Sequence, residues 1–446
     1  MHGLHGDVSL DNTALEAYLY LYPLVVMEHT RQQLCANATA RGIDLVANPF
    51  IHNRNIANAK WRSVARTNVD TLFSSCWLDT DNGPATMTLP ASDGRFFMYQ
   101  VLDMWGDTFA VLGTRTLGDA EATVRFVPRR PGALPSPVVG RSDVTADIVV
   151  PTRFAWIIGR TYTSNSEDDL VAARRHQAGV GIVYDHPPAT LHDVDVSMGG
   201  ESPVEVVDAL EADRFFELAD RLHRRESAHP TDWSVLLRMR RVGLATTSAF
   251  RFDAQSAEVR QALQRAVVAG RLATSNLDAV SVSAGHWQQF QSGIGTYGND
   301  YLRRAIIARY GLAANPREDA VYISTSRDSR GAALDGRERY HLRFGPGELP
   351  PADFFWSITA YDQDGQLMAN RWNKHSVSSR DPLVHDSDGS LVITVGPEPR
   401  SPEEAVNWIP TTAPAVTLTV RLYGPRSEVL NGRWWPPSVV HGFGER

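Results

Sequence analysis

What most constrains this chain is a succession of short β-type runs, broken by Gly, Pro and Asp, between Val69 and Arg160. "PATMTLP", "GRFFMYQVLD", "GDTFAVLGT", "ATVRFVP" and "RFAWIIGRT" follow one another too closely for crossover helices to fit between them. Parallel neighbours need a connection of about a dozen residues or more, so the spacing predicts an antiparallel sandwich or barrel and not βαβ units. A second block of the same kind runs from Asp319 onward, with "DAVYISTS", "RYHLRF", "DFFWSITAYD", "SLVITVG" and "AVTLTVRLYG" as strands. There "DSRG", "DQDG" and "DSDG" read as hairpin turns, because Asp and Gly tolerate the left-handed conformations such turns need.

Helical patterns fill the remainder. Thr13 and Glu16 form a capping box, and Leu15, Leu19, Tyr22, Val26 and His29 then recur at helical spacing. Pro23 is expected to kink or split that helix. Ser202 to Glu205, with Pro203 at the first helical position, starts another helix; "SAEVRQALQRAVVAGRL" and "NDYLRRAIIARYG" are two more. The fold class expected is α+β, mostly antiparallel. Residues 1–165 would form an N-terminal helix plus a β-sandwich, 166–318 a central helical region, and 319–446 a second β-sandwich, both sandwiches jelly-roll-like.

A formal net charge of −7 with no Lys/Arg run argues against nucleic acid and anionic membranes as partners. Of the 44 basic residues only Lys60 and Lys374 are lysines, which makes each worth attention. Two cysteines, Cys35 and Cys76, are too few for a secreted disulfide scaffold. The opening "MHGLHGDVSLDNT" has no basic and apolar signal pattern, and "AYLYLYPLVVM" is too short to span a bilayer. The expected location is cytoplasmic.

Familiar catalytic signatures are missing: no GxSxG, CxxC, HExxH or P-loop occurs. Gly293-Ile-Gly295-Thr-Tyr-Gly298 spells GxGxxG before a helix, yet the preceding "GHWQQFQS" is polar where a dinucleotide site needs a buried strand. Asp185, His186, His192, Asp193 and Asp195 make a loose His/Asp group whose spacing fits no metal template. Neither a cofactor nor a metal is expected.

Chemistry then rests on scattered polar residues, first among them those of "RTNVDTLFSSCWLD". Alternation puts Leu72, Ser74, Cys76 and Leu78 on one face and Phe73, Ser75, Trp77 and Asp79 on the other, with Asn68 and Asp70 at the mouth of the strand. They are either a turn that ends the ladder or a site. Asp103 closes the "GRFFMYQVLDMW" strand, and two carboxylates in different surroundings can divide acid and base roles. Tyr99 lies on that same strand. Arg115 or Arg160 would hold an anionic group, although a lone strand-end Arg is more commonly the partner of a buried Asp. Trp77, Trp356, Tyr361, Asn370, Lys374 and Trp408 complete the candidate binding set; aromatic residues in sandwiches are usually core.

Several stretches resemble a widespread bacterial family. "YLYLYPLV", "NVDTLFSSCWLD", "GRFFMYQVLDMWGDTFAVLGTRTLG" and "PTRFAWIIGRT" are similar to its N-terminal half, the domain of unknown function numbered 1254. "YLRRAIIARYGLAANPREDAVYISTSRDSRGAALDGRERYHLRF", "LPPADFFWSITAYD", "DGSLVITV", "NWIP" and "GRWWPPSV" are similar to its C-terminal half, the domain numbered 1214. The resemblance implies two β-rich domains with helical insertions and no established reaction. The chain departs from it in "ANRWNKHSV", where Lys374 and His375 stand in place of an Arg-Tyr pair.

These readings converge on a cofactor-independent enzyme of small-molecule, specialised metabolism. It would be a lyase, isomerase or hydrolase, working by carboxylate acid/base chemistry at Asp70 and Asp103 in an interdomain pocket. The partner would be a small-molecule substrate, and a homo-oligomer is allowed. The alternative is a non-catalytic carbohydrate or small-ligand binding protein.

Overall fold

The computed structural model describes residues 9–47, 49–61, 65–129, 145–164, 166–191 and 201–442. The protein is α+β, with four mostly antiparallel sheets paired into two sandwiches and a layer of helices against the first.

The N-terminal sandwich uses nine strands: β1 (Phe50–His52), β2 (Thr71–Asp79), β3 (Ala85–Leu89), β4 (Phe97–Asp103), β5 (Thr108–Gly113), β6 (Ala122–Pro128), β7 (Ala146–Val150), β8 (Phe154–Tyr162) and β9 (Gly181–Tyr184). They form a sheet of order β1-β2-β8-β4-β5 facing one of order β7-β6-β3-β9. The alternation read from β2 is what lets one strand serve two cores. Cys76 and Leu78 enter the sandwich interior with Met87, Tyr99 and Phe126. Trp77, on the opposite face, pairs in register with Trp156 of β8 and stacks on it at 5.2 Å. Gly159 of β8 is required by close approach: a Cβ there would lie 2.2 Å from the Tyr99 ring.

The outer face of the five-stranded sheet is covered by the helices Leu10–Ala40, Ala212–Arg225, Trp233–Met239, Ala257–Thr274 and Tyr301–Tyr310. The first begins one turn before the expected capping box, with Ser9 Oγ accepting from the Asn12 N–H at 3.2 Å. It also runs unbroken through Pro23, contrary to the expected kink or split. Every residue from Tyr20 to Met27 is buried, so packing around the proline offsets a local loss of about 3 kcal/mol. A helix apolar all round is a core helix. Among the described residues no helix is long and apolar enough to cross a membrane.

The C-terminal sandwich uses β10 (Ser281–Ala284), β11 (Trp287–Phe290), β12 (Ala320–Thr325), β13 (Tyr340–Phe344), β14 (Ala352–Asp362), β15 (Ser376–Ser378), β16 (Leu391–Gly396), β17 (Trp408–Pro410), β18 (Val416–Pro425) and β19 (Val440–His441). Sheet β10-β11-β12-β18-β14-β15 packs its apolar face on sheet β17-β16-β13-β19. Two parts of the central zone thus join the sandwiches: β9 is an edge of the first and the β10–β11 hairpin an edge of the second. That hairpin precedes the GxGxxG segment and is antiparallel, so the segment sits in no βαβ unit. Its glycines adopt positive φ of 78°, 84° and 55° in a loop, and the Gly295 carbonyl accepts from Thr108 N–H at 2.6 Å.

Candidate functional site

The six-stranded sheet has two unlike faces. Along β14 and β18, Trp356, Ile358, Ala360, Leu418, Val420 and Leu422 point into the C-terminal core. The alternate residues are polar, and the register sets Ser357 beside Arg421 and Thr359 beside Thr419. This polar face lies over the mouth of β2. Arg421 is 3% exposed. It donates to Thr359 Oγ1 (2.9 Å), the Arg66 carbonyl (3.0 Å) and Tyr361 OH (2.5 Å). Tyr361 OH in turn donates to the Thr67 carbonyl at 2.7 Å. An aromatic patch of Phe96, Tyr162, Phe355 and Tyr423 seals the contact, with Phe355 stacked on Tyr423 at 4.2 Å.

Of Asn68 and Asp70, the turn rests on the side chain of one and not on both. Asn68 makes the turn, its Oδ1 accepting from the N–H groups of Asp70 (2.7 Å) and Thr71 (3.0 Å). Its Nδ2 donates to Tyr423 OH. That leaves the Asp70 carboxylate unspent on backbone amides. Asp70 is 4% exposed, and its Oδ2 accepts from Ser357 Oγ at 2.7 Å and Tyr423 OH at 3.3 Å. Among the described residues Oδ1 has no hydrogen-bond partner. Burial holds the carboxyl above its ordinary range, against the pull of Arg421 and the two hydroxyls.

Asp70 lines a cavity of about 580 Å³ between the two sandwiches. Tyr162 and Thr163 lie on its N-terminal side, and Lys374, His375, Ser378 and Asp381 on its C-terminal side. Lys374 Nζ donates to the Ala405 and Val406 carbonyls at 2.8 and 2.9 Å. Burial lowers its pKa, with Asp381 opposing. Asp381 accepts from the Ser378 N–H at 2.7 Å, and burial raises its carboxyl. Burial pushes the His375 imidazole down, and its Nε2 has no partner among the described residues.

Of the residues named from the sequence as catalytic or substrate-binding, Asp70 and Lys374 line this cavity, together with His375 of the departing "ANRWNKHSV" loop. Asp103 is not Asp70's partner: its register row through Ala155 meets Leu78, at the opposite end of β2, about 25 Å along the sheet. Arg115 is committed to Asp319 in a two-pronged ion pair of 2.7 and 2.8 Å. Arg160 has no acidic partner among the described residues and does not line the cavity. Trp77, Tyr99, Trp356 and Trp408 are buried in the cores, with Trp408 Nε1 donating to the Gly396 carbonyl at 2.9 Å. Tyr361 fastens the loop before β2. Asn370 folds its own loop, accepting from Lys374 N–H at 3.1 Å and donating to the Lys374 carbonyl at 2.8 Å. Sequence reasoning missed Ser357, Arg421 and Tyr423. The available signal was a polar residue at every second position of "FWSITAY" and "TVRLY".

Asp103 belongs to a second polar cluster. Its Oδ2 meets His229 Nε2 at 2.5 Å, and Arg304 donates to Asp107 Oδ2 at 3.2 Å. Candidate ligand atoms of Asp103, Asp107 and His229 lie within 4.8 Å of one another. Arg304 carries one positive charge into this pair of carboxylates, and His229 adds a second whenever it is protonated. Burial works against the charged imidazole, but Asp103 and Asp107 together lift its pKa above the ordinary value. In the other His/Asp group, Asp185 is paired with Arg125 at 2.8 Å, while His192, Asp193 and Asp195 lie outside the described residues.

The comparisons agree with this architecture. Residues 47–184 match the family model described as a protein of unknown function, DUF1254, and residues 319–427 the one described as a protein of unknown function, DUF1214. No curated protein matches the chain. The crystal structure of the VPA0106 protein from Vibrio parahaemolyticus is similar with a TM-score of 0.73 at 20% identity, over 98% of this chain and 100% of that one, and shows the same fold. An uncharacterized protein from Burkholderia cenocepacia is similar with a TM-score of 0.43 at 11% identity, over 96% of this chain and 88% of that one. With both domain models matched in order and together spanning more than half of its length, the chain belongs to the two-domain family in which DUF1254 precedes DUF1214.

Proposed function

We propose that the interdomain cavity is the active site of an acid/base enzyme acting on a small organic molecule, with Asp70 as the group that moves the proton. One observation carries the reading. A buried carboxyl, raised by its surroundings, lines a cavity with both of its hydrogen-bond donors on Oδ2. Burial moves a carboxyl from its ordinary range toward the one in which a general acid or base works, and Ser357 and Tyr423 steady it whichever form it takes. The reaction class that fits is a lyase, isomerase or hydrolase step.

The test follows a panel of small hydroxy acids, keto acids and lactones by proton NMR in D₂O. The wild type should convert one of them or exchange its hydrogens, and Asp70→Asn should lower that rate by about 10²–10⁴-fold. An Asp70→Asn protein that melts normally and keeps the wild-type rate would sink the assignment. The amide and hydroxyl groups of the lining, among them Asn55, Asn58 and Ser376, favour one alternative, a non-catalytic binding protein. Its signature would be saturable binding with no conversion by wild type or variant.

A further inference from the structure

We infer that the molecule entering this cavity carries a small oxyanion, a carboxylate or a phosphate, and that Lys374 holds it. The inference rests on the cavity being the functional site and adds the substrate class.

Among the described residues lining the cavity, Lys374 is the one lysine or arginine. The arginines expected to hold an anion are elsewhere: Arg115 is occupied by Asp319, and Arg160 is not on the lining. An ammonium has three donors. Two are fixed by the Ala405 and Val406 carbonyls at the end of the helix Pro402–Val406, which hold the group still and leave one N–H for a ligand. Among the described residues no carboxylate comes within ion-pairing distance of Nζ. Asp381, on the same cavity, is engaged by the Ser378 N–H. Asp381 acts on the ammonium only from beyond ion-pairing distance; a half-buried cation with no carboxylate in contact is costly, and an oxyanion on the remaining N–H supplies that contact. The carboxyls of Asp70 and Asp381 would oppose an anion only when ionised, and burial biases both toward the neutral form.

The chain offers a direct assay, because Lys60 and Lys374 are its only lysines. Full-length protein labelled with ¹³C at lysine Cε should give two side-chain signals, assigned by the loss of one in Lys374→Gln; exposed Lys60 serves as the internal control. Acetate, succinate and inorganic phosphate are titrated in separate arms against chloride at equal ionic strength. At least one oxyanion should move the Lys374 signal saturably and raise its titration midpoint by about one pH unit or more, leaving Lys60 in place. The arms report which oxyanion chemistry is preferred. A Lys374 signal unmoved by all three, or moved equally by chloride, overturns the inference. Asp70→Asn should keep the response. Failure of the proton-transfer role therefore shows as unchanged turnover in that variant, and failure of anion binding as a silent lysine.

Discussion

Arg421→Met probes how the C-terminal sheet sets the state of Asp70. The substitution keeps much of the stem volume and removes the guanidinium, with its bonds to Thr359 Oγ1, the Arg66 carbonyl and Tyr361 OH. Hydrogen bonds to a charged group are worth about 1.5–3 kcal/mol each, but restoring the cation's hydration returns part of that. Each buried acceptor left without its donor costs about 1–3 kcal/mol, so a net loss of about 2–4 kcal/mol is expected at neutral pH. The loss should depend on pH. Asp70 already has a folded-state pKa above its ordinary value, so its contribution to stability is full at acid pH and declines as pH rises through the folded value. Without Arg421 the folded value climbs further, so the variant should lose more stability at pH 8 than at pH 5. In an Asp70→Asn background the pH dependence of that loss should vanish, and its size should fall by about 1–3 kcal/mol of coupling. Urea unfolding followed by tryptophan fluorescence, with midpoints compared at matched slopes, reads all four proteins. An Arg421→Met cost that is equal in both backgrounds and at both pH values would refute the argument.

Two more outcomes follow from the packing. Gly159→Ala should destabilise by about 1–3 kcal/mol in thermal or urea melts, because the new methyl group meets the Tyr99 ring at 2.2 Å; an unchanged melt would show that the ring has room to move. His229→Gln should cost most below about pH 6.5, where the imidazole is charged in both states. The difference from wild type should narrow as pH rises through the folded value that Asp103 and Asp107 lift. A gap that widens with pH would mean the ring is held neutral.

The strands were legible because sandwich strands carry their own period and turns: β2 and β4 fall within runs read directly from the residues, and β8, β14 and β18 exceed theirs by one residue each. Pro23 was misjudged because a local rule was applied to a helix whose environment is tertiary. The β10–β11 hairpin was missed because "WQQF" is polar and short, and its strand character comes from pairing with β12. Asp70 stood out from local pattern alone. Its supposed partner did not follow, since strand ends are indistinguishable in sequence until register assigns each to one end of the sheet. Register places Asp103 with Leu78 and puts Asp70 one residue before Thr71. The true neighbours, Ser357 and Tyr423, lie 287 and 353 residues away, beyond the reach of any periodicity.

That separation bears on why the two domains occur as a pair. The carboxylate comes from the N-terminal domain, on a turn that Asn68 closes without using it. The hydroxyls that fix Oδ2, the cation that tempers its charge and the lysine on the facing wall all come from the C-terminal domain. Burial of Asp70 depends on that second sheet lying over the mouth of β2, because the mouth of a strand is otherwise open to water. A lone N-terminal domain would present Asp70 as an ordinary solvated aspartate at the end of a sheet, and a lone C-terminal domain would present a polar face with Arg421 uncovered. The raised carboxyl is therefore a property of the docked pair, and so is the cavity whose walls both domains supply.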